Sequence, residues 1–202
     1  MSRILAMDTP DWLDTAADAI HAKQIVALAF ERLFGLAADA LDRDTVAKVA
    51  RIKNRAEQSV GNRPIAVILP DADAVSLFCD DFGRRASTLA QQYWPGPLTL
   101  IVKAKPNLPR PLVSEAGLIG LRVAGTSPAA KLAKRTGVPL TATSANRAGD
   151  TDALSHHDVI GLPGIDLIIK GEVPGPPGST IVDVSGERLN VLRKGIVTIS
   201  ED

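Results

Sequence analysis

Pro139-Leu140-Thr141-Ala142-Thr143-Ser144-Ala145-Asn146-Arg147-Ala148-Gly149 is the stretch that decides how the chain folds. Its first five residues, 139–143, are apolar and rich in Thr, the composition of a buried strand. Ser144 and Asn146 follow where the chain leaves the sheet, and Gly149-Asp150 closes the stretch with turn chemistry. In an open α/β sheet, ligands bind beyond the carboxyl ends of strands. A hydroxyl and an amide two residues apart at such an end can offer donors and acceptors to one polar ligand. The same residue types are also ordinary turn formers, and this stretch alone favours the turn.

Outward from it, strand-like and helix-like segments alternate. Residues 4–7, 25–30, 64–69, 98–103, 119–123, 167–170, 179–183 and 189–192 read as strands. Thr9 and Pro10 read as the cap and first position of a helix through His21, and Asp44 as the cap of a helix ending near Lys53. Gly35 opens a loop to Asp39. Residues 72–78 and 82–93 read as helices, and Ser127-Pro128 starts another that Gly137 ends. Ser155 caps a short helix. Trp94-Pro95-Gly96-Pro97 is a rigid turn. No repeat or polar linker divides the chain, so residues 1–202 are expected to form one α/β domain.

Composition narrows the function classes. Lys and Arg together number 23, as do Asp and Glu, and aromatics make up only 3%. Neither a bulk-charge grip on nucleic acid nor a base-stacking platform follows from such a chain. The lone Cys79 excludes an internal disulfide, and His21, His156 and His157 lack metal-ligand spacing, so no metal site is expected. No apolar run reaches membrane length and residues 1–5 lack the apolar core of a signal peptide; a cytoplasmic protein without membrane contact is expected.

Two basic features carry chemistry. Alternation puts Lys53 and Arg55 on one side of an extended segment, where two cations suit a polyphosphate; the same residues at a helix C-terminus also complement its dipole. Arg122 sits inside an apolar strand, which is costly unless it is paired or faces a cleft.

Six stretches then match one family in order: Lys53-Asn54-Arg55, Trp94-Pro95-Gly96-Pro97-Leu98-Thr99-Leu100, Gly120-Leu121-Arg122-Val123, Thr143-Ser144-Ala145-Asn146, Ser179-Thr180-Ile181-Val182-Asp183 and Leu192-Arg193-Lys194-Gly195. Together they resemble the YrdC-like family, whose best-known members are threonylcarbamoyl-AMP synthases. The resemblance implies a twisted mixed α/β sheet with flanking helices and a concave ligand cavity. It implies a nucleotidyltransferase that turns ATP, L-threonine and bicarbonate into threonylcarbamoyl-AMP and pyrophosphate for modification of tRNA adenosine 37. It further implies Mg2+ held through the phosphates, small-molecule substrates, and tRNA-modification proteins as partners. By resemblance, Lys53, Arg55, Ser144, Asn146 and Arg193 hold the nucleotide, while Arg122 and Ser179 face the amino acid or its carbamate.

One region departs from the family. Where the family has Y-P-T-D/E-T-x-Y-G-L, this chain has Leu28-Ala29-Phe30-Glu31-Arg32-Leu33-Phe34-Gly35-Leu36. Both threonines and both tyrosines are gone. If Phe30 and Arg32 share one face of a strand end, with Glu31 opposite, the acceptor cavity is narrower, more apolar and more positive than a threonine site, and Arg32 joins the substrate residues. A site stripped of hydroxyl partners should bind threonine poorly. Two alternatives therefore stand beside the family enzyme: a nucleotide-binding paralogue with another acceptor or no activity, and an RNA-binding or ribosome-associated protein. The neutral charge predicts weak or no binding to duplex RNA at physiological salt. A fluorescence titration checks this, and submicromolar, sequence-independent affinity would contradict it.

Overall fold

The structure, a computed structural model, describes residues 2–53, 64–147 and 149–199. Along the chain run β1 (Arg3–Leu5), α1 (Trp12–His21), β2 (Val26–Ala29), β3 (Phe34–Ala37), α2 (Arg43–Ile52), β4 (Ala66–Leu69), α3 (Arg84–Tyr93), β5 (Leu98–Lys103), β6 (Leu118–Val123), α4 (Pro128–Thr136), β7 (Leu140–Ser144), β8 (Leu167–Ile169), β9 (Thr180–Asp183) and β10 (Asn190–Arg193). The strands form one mixed sheet in the order β1-β8-β2-β3-β7-β4-β6-β5-β9-β10. The opening stretch is its seam. Antiparallel β7 pairs on one side with β3, Leu36 against Thr143, and on the other with β4, Ala66 against Ala142.

The two faces of the sheet are covered differently. One face carries Val67, Leu69, Leu98, Leu100, Leu121, Val123 and Val182, clustered with Val46, Val49 and Ala50 of α2 and Ala86 and Ala90 of α3. On the other, α1 and α4 use mostly alanines to lie close over Val26, Leu28, Ile68, Leu140, Leu167 and Ile169. That cover stops at β4 and β7. Beyond it the same strand face turns outward as Ala66, Thr99, Ile101, Gly120, Arg122, Ala142, Ile181 and Asp183, which line a cleft. Each alternates with a core residue, the period of two that a strand imposes. The cleft therefore lies on the face of the sheet. The expected site beyond the strand ends is only its rim, where Ser144 ends β7.

Local chemistry sets the elements. Ser127 caps α4 by accepting from the Ala130 N–H at 3.2 Å, and Gly137 ends it at φ +66°. At α2 the cap is Asp42 rather than Asp44. Asp42 Oδ1 accepts from the Thr45 N–H at 2.9 Å and from Thr45 Oγ1 at 2.6 Å, while Oδ2 takes the Lys23 ammonium at 2.6 Å. Thr9 does not cap α1, which starts at Trp12 after a turn. Residues 72–78 hold only a three-ten turn, Asp73–Leu77. Gly35 belongs to β3 and opens no loop. A Cβ there would sit 2.3 Å from Phe30 Cε2, so a glycine is needed beneath the ring. Among the described residues no helix is long and apolar enough to cross a membrane.

The Lys23 hydrogen bond, followed by those from Thr45, holds the Asp42 carboxyl well below the usual carboxylate range. A depressed folded value means stability that is present above the unfolded pKa and is lost as pH falls through the folded one. Asp42→Ala should lower stability by about 1 kcal/mol at neutral pH in urea unfolding. The gap should narrow as pH drops below about 4.

Candidate functional site

Lys53 is the C-terminal cap of α2 and is only 2% exposed. Its ammonium crosses to the end of β7, donating to the Ser144 carbonyl at 2.7 Å, to Ser144 Oγ at 3.1 Å and to Asn146 Oδ1. Ser144 Oγ donates to the same Asn146 Oδ1 at 2.6 Å, and Asn146 Nδ2 donates to the Asp150 carbonyl at 2.8 Å. A buried ammonium costs several kcal/mol unless acceptors surround it, and these groups supply them. Ser144 reaches the cleft; Lys53 and Asn146 stand behind it. Lys53 thus braces Ser144 and Asn146 from a helix end and does not sit on an extended segment. Arg55 lies outside the described residues.

Arg122 projects from β6 into the cleft, and Glu31 Oε2 accepts from its Nη2 at 2.9 Å. Glu31 Oε1 accepts from the Gly125 N–H at 3.3 Å. Residues 30–33 form the turn of the β2–β3 hairpin, closed by the Phe30 N–H donating to the Leu33 carbonyl at 3.0 Å. Phe30, Glu31, Arg32 and Leu33 consequently all line the cleft, and Glu31 does not face away from it. Phe34 is fully buried in the core and does not line the cleft. Arg32 donates from Nε to the Gly175 carbonyl at 2.6 Å and from Nη2 to that of Pro176 at 3.2 Å, tying the hairpin to the loop before β9.

Across the cleft, Arg193 ends β10 and folds back on Ser179. Nε and Nη2 donate to the Ser179 carbonyl at 3.0 and 2.8 Å, and Nη2 donates to Ser179 Oγ at 3.0 Å. Thr99 Oγ1 lies 3.0 Å from the same hydroxyl. Burial, then the nearby Arg122 charge, pushes the Arg193 pKa down, while Asp152 opposes the shift. The guanidinium stays charged regardless, so Arg193 and the Glu31-paired Arg122 both face the cleft as cations. The loops meet closely here: a Cβ on Gly195 would lie 2.4 Å from the Gly178 carbonyl oxygen.

The cleft measures about 800 Å³, a size that suits a small-molecule ligand. Its described lining carries Arg32, Arg122 and Arg193 against Glu31, Asp152 and Asp183. The structure brings together Ser144, Arg122, Ser179, Arg193 and Arg32 around one space, with Lys53 and Asn146 behind. Glu31 is the cleft residue that strand alternation missed; the signal was an acid in a hairpin turn facing a strand that carries an Arg. Among the described residues no group of three or more His, Cys, Asp or Glu is placed to hold a metal ion.

Residues 18–195 match the Sua5/YciO/YrdC family model, described as "Telomere recombination", and the chain belongs to that family. It is 31% identical to the threonylcarbamoyl-AMP synthase of Bacillus subtilis over 91% of this chain and 53% of that protein. The crystal structure of Pyrococcus abyssi Sua5 complexed with L-threonine superposes with a TM-score of 0.84 at 27% identity, over 96% of this chain and 57% of that one. Escherichia coli YciO superposes with a TM-score of 0.81 at 22% identity, over 97% of both chains, and shows the fold alone. The chain spans about half the length of the first two relatives.

Asn146→Ala would remove an acceptor from the buried Lys53 ammonium and from Ser144 Oγ. It should destabilise the fold by about 1–3 kcal/mol in denaturant unfolding, more than an exposed Asn would.

Proposed function

We propose that this protein is a threonylcarbamoyl-AMP synthase. Threonine and bicarbonate give the carbamate with loss of water; a carbamate oxygen then displaces pyrophosphate from the α-phosphorus of ATP. The observation that carries this reading is the convergence of Ser144, Arg122, Ser179 and Arg193 on one cleft, with Lys53 and Asn146 bracing Ser144. Arg193, with Arg55 by resemblance, would offset triphosphate charge, and Ser144, held by Asn146 and Lys53, would orient it. Arg122 and Ser179 would hold the amino acid's carboxylate and carbamate. Catalysis would then be positioning and electrostatics, since the groups are set before substrate arrives. Mg2+ would enter on the phosphates rather than in a protein cage. The names of the curated relatives and the L-threonine in the P. abyssi complex support this reading. In this role residues 1–202 act as one cytoplasmic domain beside tRNA-modification proteins that use the product.

The acceptor side bears on the choice of amino acid. Of the rewritten positions, Phe34 is in the core and Arg32 is tied to carbonyls, so Phe30 is the substitution that fills acceptor space. Arg32 would meet a substrate only by loosening from its loop. Phe30 nevertheless favours a second reading, in which the acceptor is another small amino acid.

Pyrophosphate release from ATP and bicarbonate, measured with each common amino acid, tests both. Release that depends on L-threonine is expected. A response to a different amino acid supports the second reading, and no amino-acid dependence at all contradicts both. In calorimetry, Arg193→Ala should weaken ATP binding by about 1–3 kcal/mol, the worth of charged hydrogen bonds.

A further inference from the structure

We infer that residues 174–178 form a gate on the cleft and that Arg32 is its latch, so that release of one side chain sets how fast ligands enter and leave. The sheet order makes the geometry. β8 is the second strand and β9 the ninth, so the chain between them crosses β2, β3, β7, β4, β6 and β5. The last four of these floor the cleft with Ala142, Ala66, Gly120 and Thr99. The crossing lies at the end of the sheet where Ala29 ends β2, Phe34 starts β3 and Ser144 ends β7. Its last residues, Gly178 and Ser179, line the cleft on one side, and residues 30–33 of the β2–β3 turn line it on the other. Arg32 joins the two, through Nε to the Gly175 carbonyl and Nη2 to that of Pro176.

The crossing is held firmly before and after this point. Upstream, the His156 N–H donates to the Gly171 carbonyl at 3.0 Å, and the Val173 N–H donates to the Leu154 carbonyl at 2.8 Å. Downstream, the Gly178 carbonyl accepts from the Ile196 N–H at 3.2 Å, and Arg193 holds Ser179. Among the described residues, Arg32 makes the only hydrogen bonds that reach residues 174–177. Three of those four are prolines, which have a fixed φ and no N–H. A segment so built keeps its shape when released and moves as a bar. The Arg32 guanidinium is half-buried, so water takes over its donors when the latch opens. The effect on ligand rates rests on the proposed nucleotide site; the latch itself does not.

Two measurements on the whole chain test this. Amide exchange followed by NMR, without ligand, reads the latch. In Arg32→Ala the Gly175 and Gly178 amides should exchange at least about fivefold faster, with the strand amides unchanged. Stopped-flow binding of a fluorescent, non-hydrolysable ATP analogue reads the gate. Association and dissociation should both speed up by at least about threefold in Arg32→Ala, leaving Kd within about twofold. Arg32→Lys keeps the charge but loses the fork that reaches two carbonyls, and its rates should stay closer to those of Arg32→Ala than to the unaltered protein. Unchanged exchange at Gly175 and Gly178 in a folded Arg32→Ala, checked by thermal melt, would overturn the latch. Faster dissociation alone, restored in Arg32→Lys, would overturn the gate, because it marks a cation that merely holds phosphate. If the unaltered protein binds no nucleotide, the synthase reading and the gate fall together, while the exchange result still decides the latch.

Discussion

The buried ammonium of Lys53 is the constraint on which the site depends. It leaves the end of α2, on the densely packed side of the sheet, and reaches the end of β7, where the two halves of the sheet join. In a low-dielectric interior such a charge tolerates little misplacement of its acceptors. Ser144 and Asn146 are accordingly locked to each other and to the helix before any ligand arrives. The cost of holding a cation there is repaid as rigidity at one wall of the cleft.

The opposite wall is set by a different economy of packing. Alanines let α1 and α4 lie close to the sheet, but the pair covers only the strands from β8 to β4. Past it, β6, β5 and β9 bury their other face and turn Thr99, Ile101, Gly120, Arg122, Ile181 and Asp183 to the cleft, joined by Ala66 of β4 and Ala142 of β7. Gly120 illustrates the limit, since a Cβ there would press within 3.1 Å of Ile101 and within 3.4 Å of Ala66. Two loops complete the wall. The β2–β3 turn supplies Glu31 to Arg122, and the loop before β9 is clasped by Arg32. Opposed charges at fixed spacing, rather than a single positive field, are what this arrangement offers a substrate.

Much of this was legible in the residues. Short apolar runs marked β5, β6 and β7, and Ser127-Pro128 with Gly137 bounded α4 through its caps. Arg122 announced a cleft because an unpaired Arg inside an apolar strand is costly. What was hidden depended on contacts distant in sequence. Gly35 looked like a loop opener, yet its reason is the Phe30 ring lying on it. Glu31 looked outward-facing because a tight turn breaks the alternation on which that inference relied. Lys53 read as a cation for a polyphosphate or for a helix dipole, because nothing local reveals acceptors 91 and 93 residues away. Position in a turn and partners across the sheet are tertiary facts, and periodicity does not carry them.

A crystal structure of the protein with a non-hydrolysable ATP analogue and L-threonine tests the account most directly. The triphosphate should lie between Ser144 and Arg193, with the threonine carboxylate on Arg122. A nucleotide bound away from this cleft, in the groove between α3 and residues 198–199 for instance, would contradict it.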